Sequence, residues 1–177
     1  MVTLEAILES ANLNQAWKRV VANKGSAGVD GMEVKDLYAH LLEHGPELVQ
    51  SIKAGKYKPQ PVLRVLIPKE EKGKFRPLGI PTTIDRWVQQ AVQQKLSEEY
   101  ETVFSESSHG FRPNRSCQTA VEQCLKLVNE GYVWVVDLDL AKFFDTVNHS
   151  KLLQLLSERI KDGRVISLIH KFLRAPV

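Results

Sequence analysis

The sequence predicts an α+β chain, mostly helical, with one basic β-hairpin and one short further strand. Three observations carry that expectation. Apolar residues recur at helical spacing through most of the 177 residues. The texture turns β-branched and apolar in two places, Val62 to Ile80 and Tyr132 to Leu138. The order helices, hairpin, helices, strand, helices lacks the strand–helix alternation of a parallel sheet.

Taken in order, Asn12 and Gln15 are spaced as a capping box, and Leu13, Ala16, Trp17, Val20 and Val21 then share one helical face up to Asn23. KGSAGVDGM, Lys24 to Met32, has three glycines and no period, so it reads as a loop. A second helix is expected from Glu33 to His44, with Val34, Leu37, Tyr38 and Leu41 inward. Gly45-Pro46 should break it before a short helix to Ala54. Val62 to Pro68 and Phe75 to Ile80 flank the turn sequence EEKGK, and Pro77 and Pro81 favour an edge position. A long helix, Thr83 to Val103, carries an inward stripe of Ile84, Val88, Ala91, Val92 and Leu96. A Ser-, Gly- and Arg-rich loop, Ser105 to Ser116, precedes a helix from Thr119 to Asn129. After the strand at Tyr132 to Leu138, two amphipathic helices span Ser150 to Glu158 and Arg164 to Leu173.

Composition is that of an ordinary globular protein, 43% hydrophobic and 25% charged, and no apolar run would span a bilayer. The start, MVTLEAILES, has early acids and no basic n-region, so a signal peptide is not expected. Cys117 and Cys124 have neither CxxC spacing nor a histidine partner. They read as buried small residues of a cytoplasmic protein, and a zinc site is not expected. The net charge of +3 is unevenly placed. Between Lys53 and Arg76 eight basic residues face only Glu70 and Glu71, a local +6. That block suits a polyanion, nucleic acid or a triphosphate; a solvated lysine-rich hairpin explains it equally.

The segment VVDLDLAKFFD, Val135 to Asp145, carries the sharpest chemical signal. Alternation would put Val133, Val135, Asp137 and Asp139 on one strand face. A carboxylate on so apolar a strand must be near an edge, paired, or holding a cation. Strand-end acids are what a two-metal phosphoryl-transfer site uses, although an isolated DxD is more readily a helix cap or a lysine partner.

Three blocks come in a fixed order: IPKEEKGKFRPLGIPTTIDRWVQQAV (Ile67 to Val92), SHGFRPNRSCQTAV (Ser108 to Val121) and VVDLDLAKFFDTVNHSKLL (Val135 to Leu153). Together they resemble the first sequence blocks of the reverse transcriptases encoded by bacterial group II introns. KGSAGVDGM resembles the extra block that precedes them, and the likeness covers Leu13 to Leu173. It implies a right-handed polymerase of which residues 1–177 would supply the fingers (about 1–130) and the start of the palm (about 131–177), with the rest of the palm, the thumb and the maturase region missing. It implies RNA-directed DNA polymerisation from dNTPs on an RNA template with a DNA primer, by two-metal Mg²⁺ chemistry, and binding of the intron RNA.

Residue by residue, Asp139 matches the first metal-binding aspartate, with the Leu140 carbonyl on the same ion. Phe143 matches the ring under the incoming sugar, and Phe144 is expected in the core. Lys69 and Arg76 match the triphosphate clamp. Arg64, Lys72 and Lys74 would be general nucleic-acid contacts. Arg112 and Arg115 would lie near the template strand or pin fingers to palm. Asp137 and Asp145 are expected to be structural, Arg86 to pair with Asp85, and His149 to start a helix. The family's paired aspartates have no counterpart, since no Asp-Asp occurs in the chain. The chain is therefore expected to be an inactive but nucleic-acid-binding fragment, without membrane association, whose exposed palm edge could form a homodimer. The rival expectations are a related bacterial reverse transcriptase of diversity-generating or defence type, and a non-catalytic RNA-binding module.

Overall fold

A computed structural model describes every residue except Lys72. Its helices are α1 (Leu4–Ile7), α2 (Ser10–Ala22), α3 (Leu37–Lys53), α4 (Thr83–Tyr100), α5 (Cys117–Asn129), α6 (Phe143–Thr146), α7 (His149–Arg159) and α8 (Gly163–Leu173). Its strands are β1 (Leu63–Pro68) and β2 (Phe75–Ile80), an antiparallel pair with Leu63 opposite Ile80 and Pro68 opposite Phe75. The chain is thus α+β, as its pattern predicts. No helix among the described residues is long and apolar enough to cross a membrane.

Packing separates two compact units, Met1–Leu96 with His149–Val177, and Ser97–Asn148. The first holds the core. Leu4, Ile7, Leu37, Val88, Ile160 and Val165 are fully buried there, beside Ala16, Trp87 and Ala91. The expected face of α2 is present, with one addition: Asn12 is not the N-cap but lies buried in the first turn of α2. Its amide donates to the Ile7 carbonyl (2.8 Å) and the Ala91 carbonyl (3.0 Å), and accepts from Gln94 (2.8 Å). Burying an amide is tolerable here because its groups find partners on both helices. Trp87 adds a bond from its indole nitrogen to the Leu13 carbonyl, at 3.1 Å.

The chain's two ends meet at α8. Asp162 caps that helix and also accepts from the Leu4 amide at 2.9 Å. Arg164 forks onto Glu5 at 2.7 and 2.8 Å. The guanidinium and these amide donors hold the Asp162 carboxyl at about 2, below its ordinary value.

Pro46 does not end a helix. After a 3₁₀ turn at Val34–Asp36, α3 runs unbroken through it. Proline costs the Leu42 carbonyl its intrahelical donor, but Leu42 is exposed and water can replace that bond. Meanwhile Leu37 and Ile52, on either side of the proline, stay anchored in the core.

The second unit has no buried hydrophobic side chain among those described, and its one buried residue is Arg112. The strand expected at Tyr132–Leu138 is absent. A strand exists through its ladder, and here β1 and β2 pair with each other and leave this segment unpartnered among the described residues. Trp134 is accordingly 94% exposed. Helix α5 starts two residues earlier than its apolar pattern suggests, because Ser116 and Thr119 form a reciprocal capping box. Cys117 and Cys124 lie on it exposed, against the expectation of burial. Phe144 is also exposed, since no apolar layer of this unit covers it.

Candidate functional site

The hairpin register sorts its cations. Ile67 faces Arg76 across the ladder, and Lys69 lies two residues on, so Lys69 and Arg76 share a face. With Pro68, Glu70 and Glu71 they line one hollow of about 430 Å³. The turn closes through the Lys69 amide on the Lys74 carbonyl (2.8 Å) and the Lys74 amide on the Glu71 carbonyl (3.1 Å). Gly73 takes a positive φ of 82° there, which a side chain would strain. Lys74 is ion-paired with Glu71, whereas Arg64, opposite Gly79, lies on the other face. Lys72 falls outside the described residues.

Both roots of this hairpin end on one carboxylate. Asp85, 1% exposed on α4, accepts from the Tyr57 hydroxyl (2.7 Å), the Gln60 amide (3.0 Å) and the Thr82 hydroxyl (2.7 Å). Gln60 leads into β1 and Thr82 follows β2. Burial, and then the Asp85 charge, push the Tyr57 phenol far above its ordinary value, so it stays a donor. The expected Asp85–Arg86 ion pair does not form. Arg86 donates instead to the Ser26 carbonyl (2.6 Å) and the Thr83 hydroxyl (3.0 Å), because adjacent helical residues point apart. Sequence reasoning missed Asp85 as an anchor, although the Thr82-x-x-Asp85 spacing is a capping signal: the Asp85 amide donates to the Thr82 hydroxyl at 3.1 Å. The Lys24–Met32 loop docks on this turn. Thr83 donates to the Met32 carbonyl (2.8 Å), and a Cβ at Gly28 would strike Thr82 backbone atoms at 2.7 Å.

In the second unit, Arg112 turns inward. Its guanidinium forks onto Glu101 (2.7 and 3.1 Å), donates to the Ser105 (2.6 Å) and Ser108 (2.9 Å) carbonyls, and lies 5.3 Å from the Phe104 ring centre. Of its five N–H groups four are engaged, so it builds its own loop and has little left for a phosphate. The same guanidinium lowers the Glu101 carboxyl below its ordinary value. Arg115 holds Glu106 at 2.5 Å and is partly exposed. Phe111 and Asn114 take left-handed φ values of 56° and 58° around the turn.

Asp139 is exposed, and its carboxylate accepts from the next amide, Leu140, at 2.9 Å. Lys142, at φ 52°, turns the chain into α6, which begins with Phe143. Phe143 is half-exposed with its ring 5.9 Å from that of Phe144. Asp145 sits inside α6, and His149 begins α7 as expected. No three acidic, histidine or cysteine side chains among the described residues are grouped to hold a metal ion. One exposed carboxylate and one carbonyl are oxygen donors of the kind Mg²⁺ takes, but alone they do not complete a metal centre.

The family described as "Reverse transcriptase (RNA-dependent DNA polymerase)" matches residues 67–176. This chain belongs to that family. The match takes in β2, α4, the Arg112 loop and Asp139. Among its relatives, the group II intron-encoded protein LtrA of Lactococcus lactis subsp. cremoris is 41% identical over 160 residues, which cover 90% of this chain and 26% of that protein. Protein YkfC of Escherichia coli K12 is 37% identical over 97% of the chain and 46% of its own length. The putative COX1/OXI3 intron 2 protein of Saccharomyces cerevisiae is 38% identical over 90% of the chain and 18% of its own. The chain thus spans under half the length of each of these relatives. The resemblance drawn from its sequence blocks is established at the level of the family.

Proposed function

We propose that this chain is the fingers and first palm portion of an RNA-directed DNA polymerase of the group II intron type. In it the hairpin hollow receives the nucleotide triphosphate. The observation that carries this reading is the convergence of Lys69, just after β1, and Arg76, on β2, on one hollow in a chain of this family. An ammonium and a planar guanidinium are complementary to phosphate oxygens and neutralise charge that shifts during phosphoryl transfer. Arg64, Lys72 and Lys74 contribute to the grip on an RNA template and DNA primer, and Phe143 packs beneath the sugar and disfavours a 2′-hydroxyl. Intron RNA is the further partner that the intron-encoded relatives suggest.

Asp139, with the Leu140 carbonyl, supplies one arm toward Mg²⁺. Two ions clamping an in-line displacement need further carboxylates, and the 177 residues contain no Asp-Asp pair. The chain alone is therefore expected to bind a primer–template and not to extend it.

The test is titration of the chain into a fluorescent RNA–DNA primer–template at several salt concentrations. Binding should weaken steeply with salt, and Arg64→Ala with Lys74→Ala should flatten the slope, while Lys69→Ala with Arg76→Ala should leave the slope unchanged and weaken binding of a dNTP to the chain. Asp139→Ala should leave affinity unchanged. Salt-insensitive binding, or none, would remove the reading. Equal loss with Asp139→Ala would move the contact to the Asp139 segment. A non-catalytic RNA-binding module would give the same titration, and is separated by polymerisation, abolished by Asp139→Ala, in a chain extended to the relatives' length.

A further inference from the structure

The first unit carries a second set of cations, away from the hairpin tip. Residues between α3 and β1 meet the C-terminal end of α8 around a hollow of about 770 Å³. Lys56, Lys58, His170 and Arg174 stand on its rim, and no carboxylate lines it among the described residues. Lys171 holds it together, donating to the Gly55 carbonyl (2.5 Å) and the Tyr57 carbonyl (3.1 Å). Pro59, Ala175 and Pro176 give it an apolar floor.

These cations are gathered at one concavity with no acidic partner among the described residues. Elsewhere Lys35 pairs with Glu33, Lys74 with Glu71, Arg112 with Glu101, Arg115 with Glu106, and Arg164 with Glu5. Lys56, Lys58 and Arg174 are exposed and form no such pair among the described residues. Gathering three unpaired like charges at a concavity is repulsive unless an anion sits there. One term opposes an anion: α8 ends at this point, with a dipole equivalent to about −0.5 charge. Three full positive charges outweigh it.

We propose that this hollow is a second nucleic-acid contact, which takes the phosphate backbone of RNA with a sugar or base edge against its proline floor. The Val62 amide donates to the Pro176 carbonyl at 2.7 Å, so the hollow adjoins the hairpin's root. Five residue steps of β1 separate that root from the tip, about 17 Å. A duplex strand crossing that distance passes about five phosphates. One RNA strand can therefore meet both places, and the hollow would set how an RNA leaves the hairpin. Three exposed cations around a hollow whose apolar lining is only Pro59, Ala175 and Pro176 suit a polyanion better than a lipid surface.

The experiment titrates the full chain into a fluorescent RNA stem-loop across salt concentrations. The variant Lys56→Ala/Lys58→Ala/Arg174→Ala should lose about tenfold or more in affinity at low salt and about two units of the log–log salt slope. An unchanged slope overturns the proposal. Loss confined to Arg64→Ala/Lys74→Ala overturns it and keeps the hairpin's grip on RNA, whereas loss confined to the hollow variant supports it and removes that grip. A footprint on the unmodified chain avoids any folding defect. RNA should protect Lys56 and Lys58 from amine acetylation and leave exposed Lys53, outside the hollow, reactive. Equal reactivity of all three overturns the proposal, and so does protection by phosphatidylserine vesicles without protection by RNA.

Discussion

Trp87 and Trp134 are the same residue in two different solvents. Trp87 is 3% exposed in the first unit, its ring in the core and its nitrogen on the Leu13 carbonyl. Trp134 is 94% exposed in the second. The same contrast holds between Asp85, which anchors two hairpin roots, and Asp139, an exposed carboxylate that accepts from the next amide. The first unit is stabilised by burial. The second is organised by polar contacts within its own loops, chiefly those of Arg112, with its most apolar segment uncovered. Residue type does not decide a role here; what the surrounding chain can offer as cover and partners does.

The widest gap should appear between the two tryptophans. Trp87→Ala should destabilise the first unit by about 3–5 kcal/mol in urea unfolding, while Trp134→Ala should change it by less than about 0.5 kcal/mol. Equal effects would mean that Val133–Leu138 is covered in solution. Next come the aspartates. Asp85→Ala leaves the Tyr57 and Thr82 hydroxyls and the Gln60 amide without their acceptor, and should cost about 2–4 kcal/mol. Asp139→Ala should cost almost nothing. Asp85→Asn should recover part of the loss, because its one carbonyl oxygen still accepts. A smaller and strictly local effect is expected at Arg112→Ala: faster amide exchange and proteolysis within Ser105–Ser116, with the unfolding midpoint of the first unit unmoved.

The smallest effect is a pH dependence. Asp162 has a folded value of about 2 against an ordinary 3.8. Its contribution is therefore fully present above about pH 4 and is lost as pH falls through about 2. Asp162→Asn should flatten that part of the acid limb of a stability–pH curve. An unchanged limb would mean that the Leu4 amide and Arg164 do not hold the carboxylate in solution.

Local periodicity made much of the first unit legible. The hairpin's limits and turn, the start of α4 and both final helices follow from patterns a few residues long. The failures came where a distant or absent partner decides. Pro46 reads as a break, yet the anchors on either side of it carry α3 through. Tyr132–Leu138 reads as a strand by composition, but composition supplies no ladder. Asp85 reads as half of a surface pair because its acceptors' donors, Tyr57 and Gln60, lie 28 and 25 residues away. Of the candidate site, the pairing of Lys69 with Arg76 could be expected from the hairpin. The inward turn of Arg112 could not, since nothing in GFRPNR points to Glu101.

The double anchoring of the hairpin has a mechanical consequence. A ribbon held at one root can slide one strand past the other, and its tip then wanders along its length. A ribbon whose two roots close on one carboxylate resists that shear and is left with bending. Whatever load the tip takes up is carried down both strands into a single turn of α4, which is also where the Lys24–Met32 loop is seated. That turn works as a bearing: a pull at the tip and a push on the loop are felt at the same few atoms.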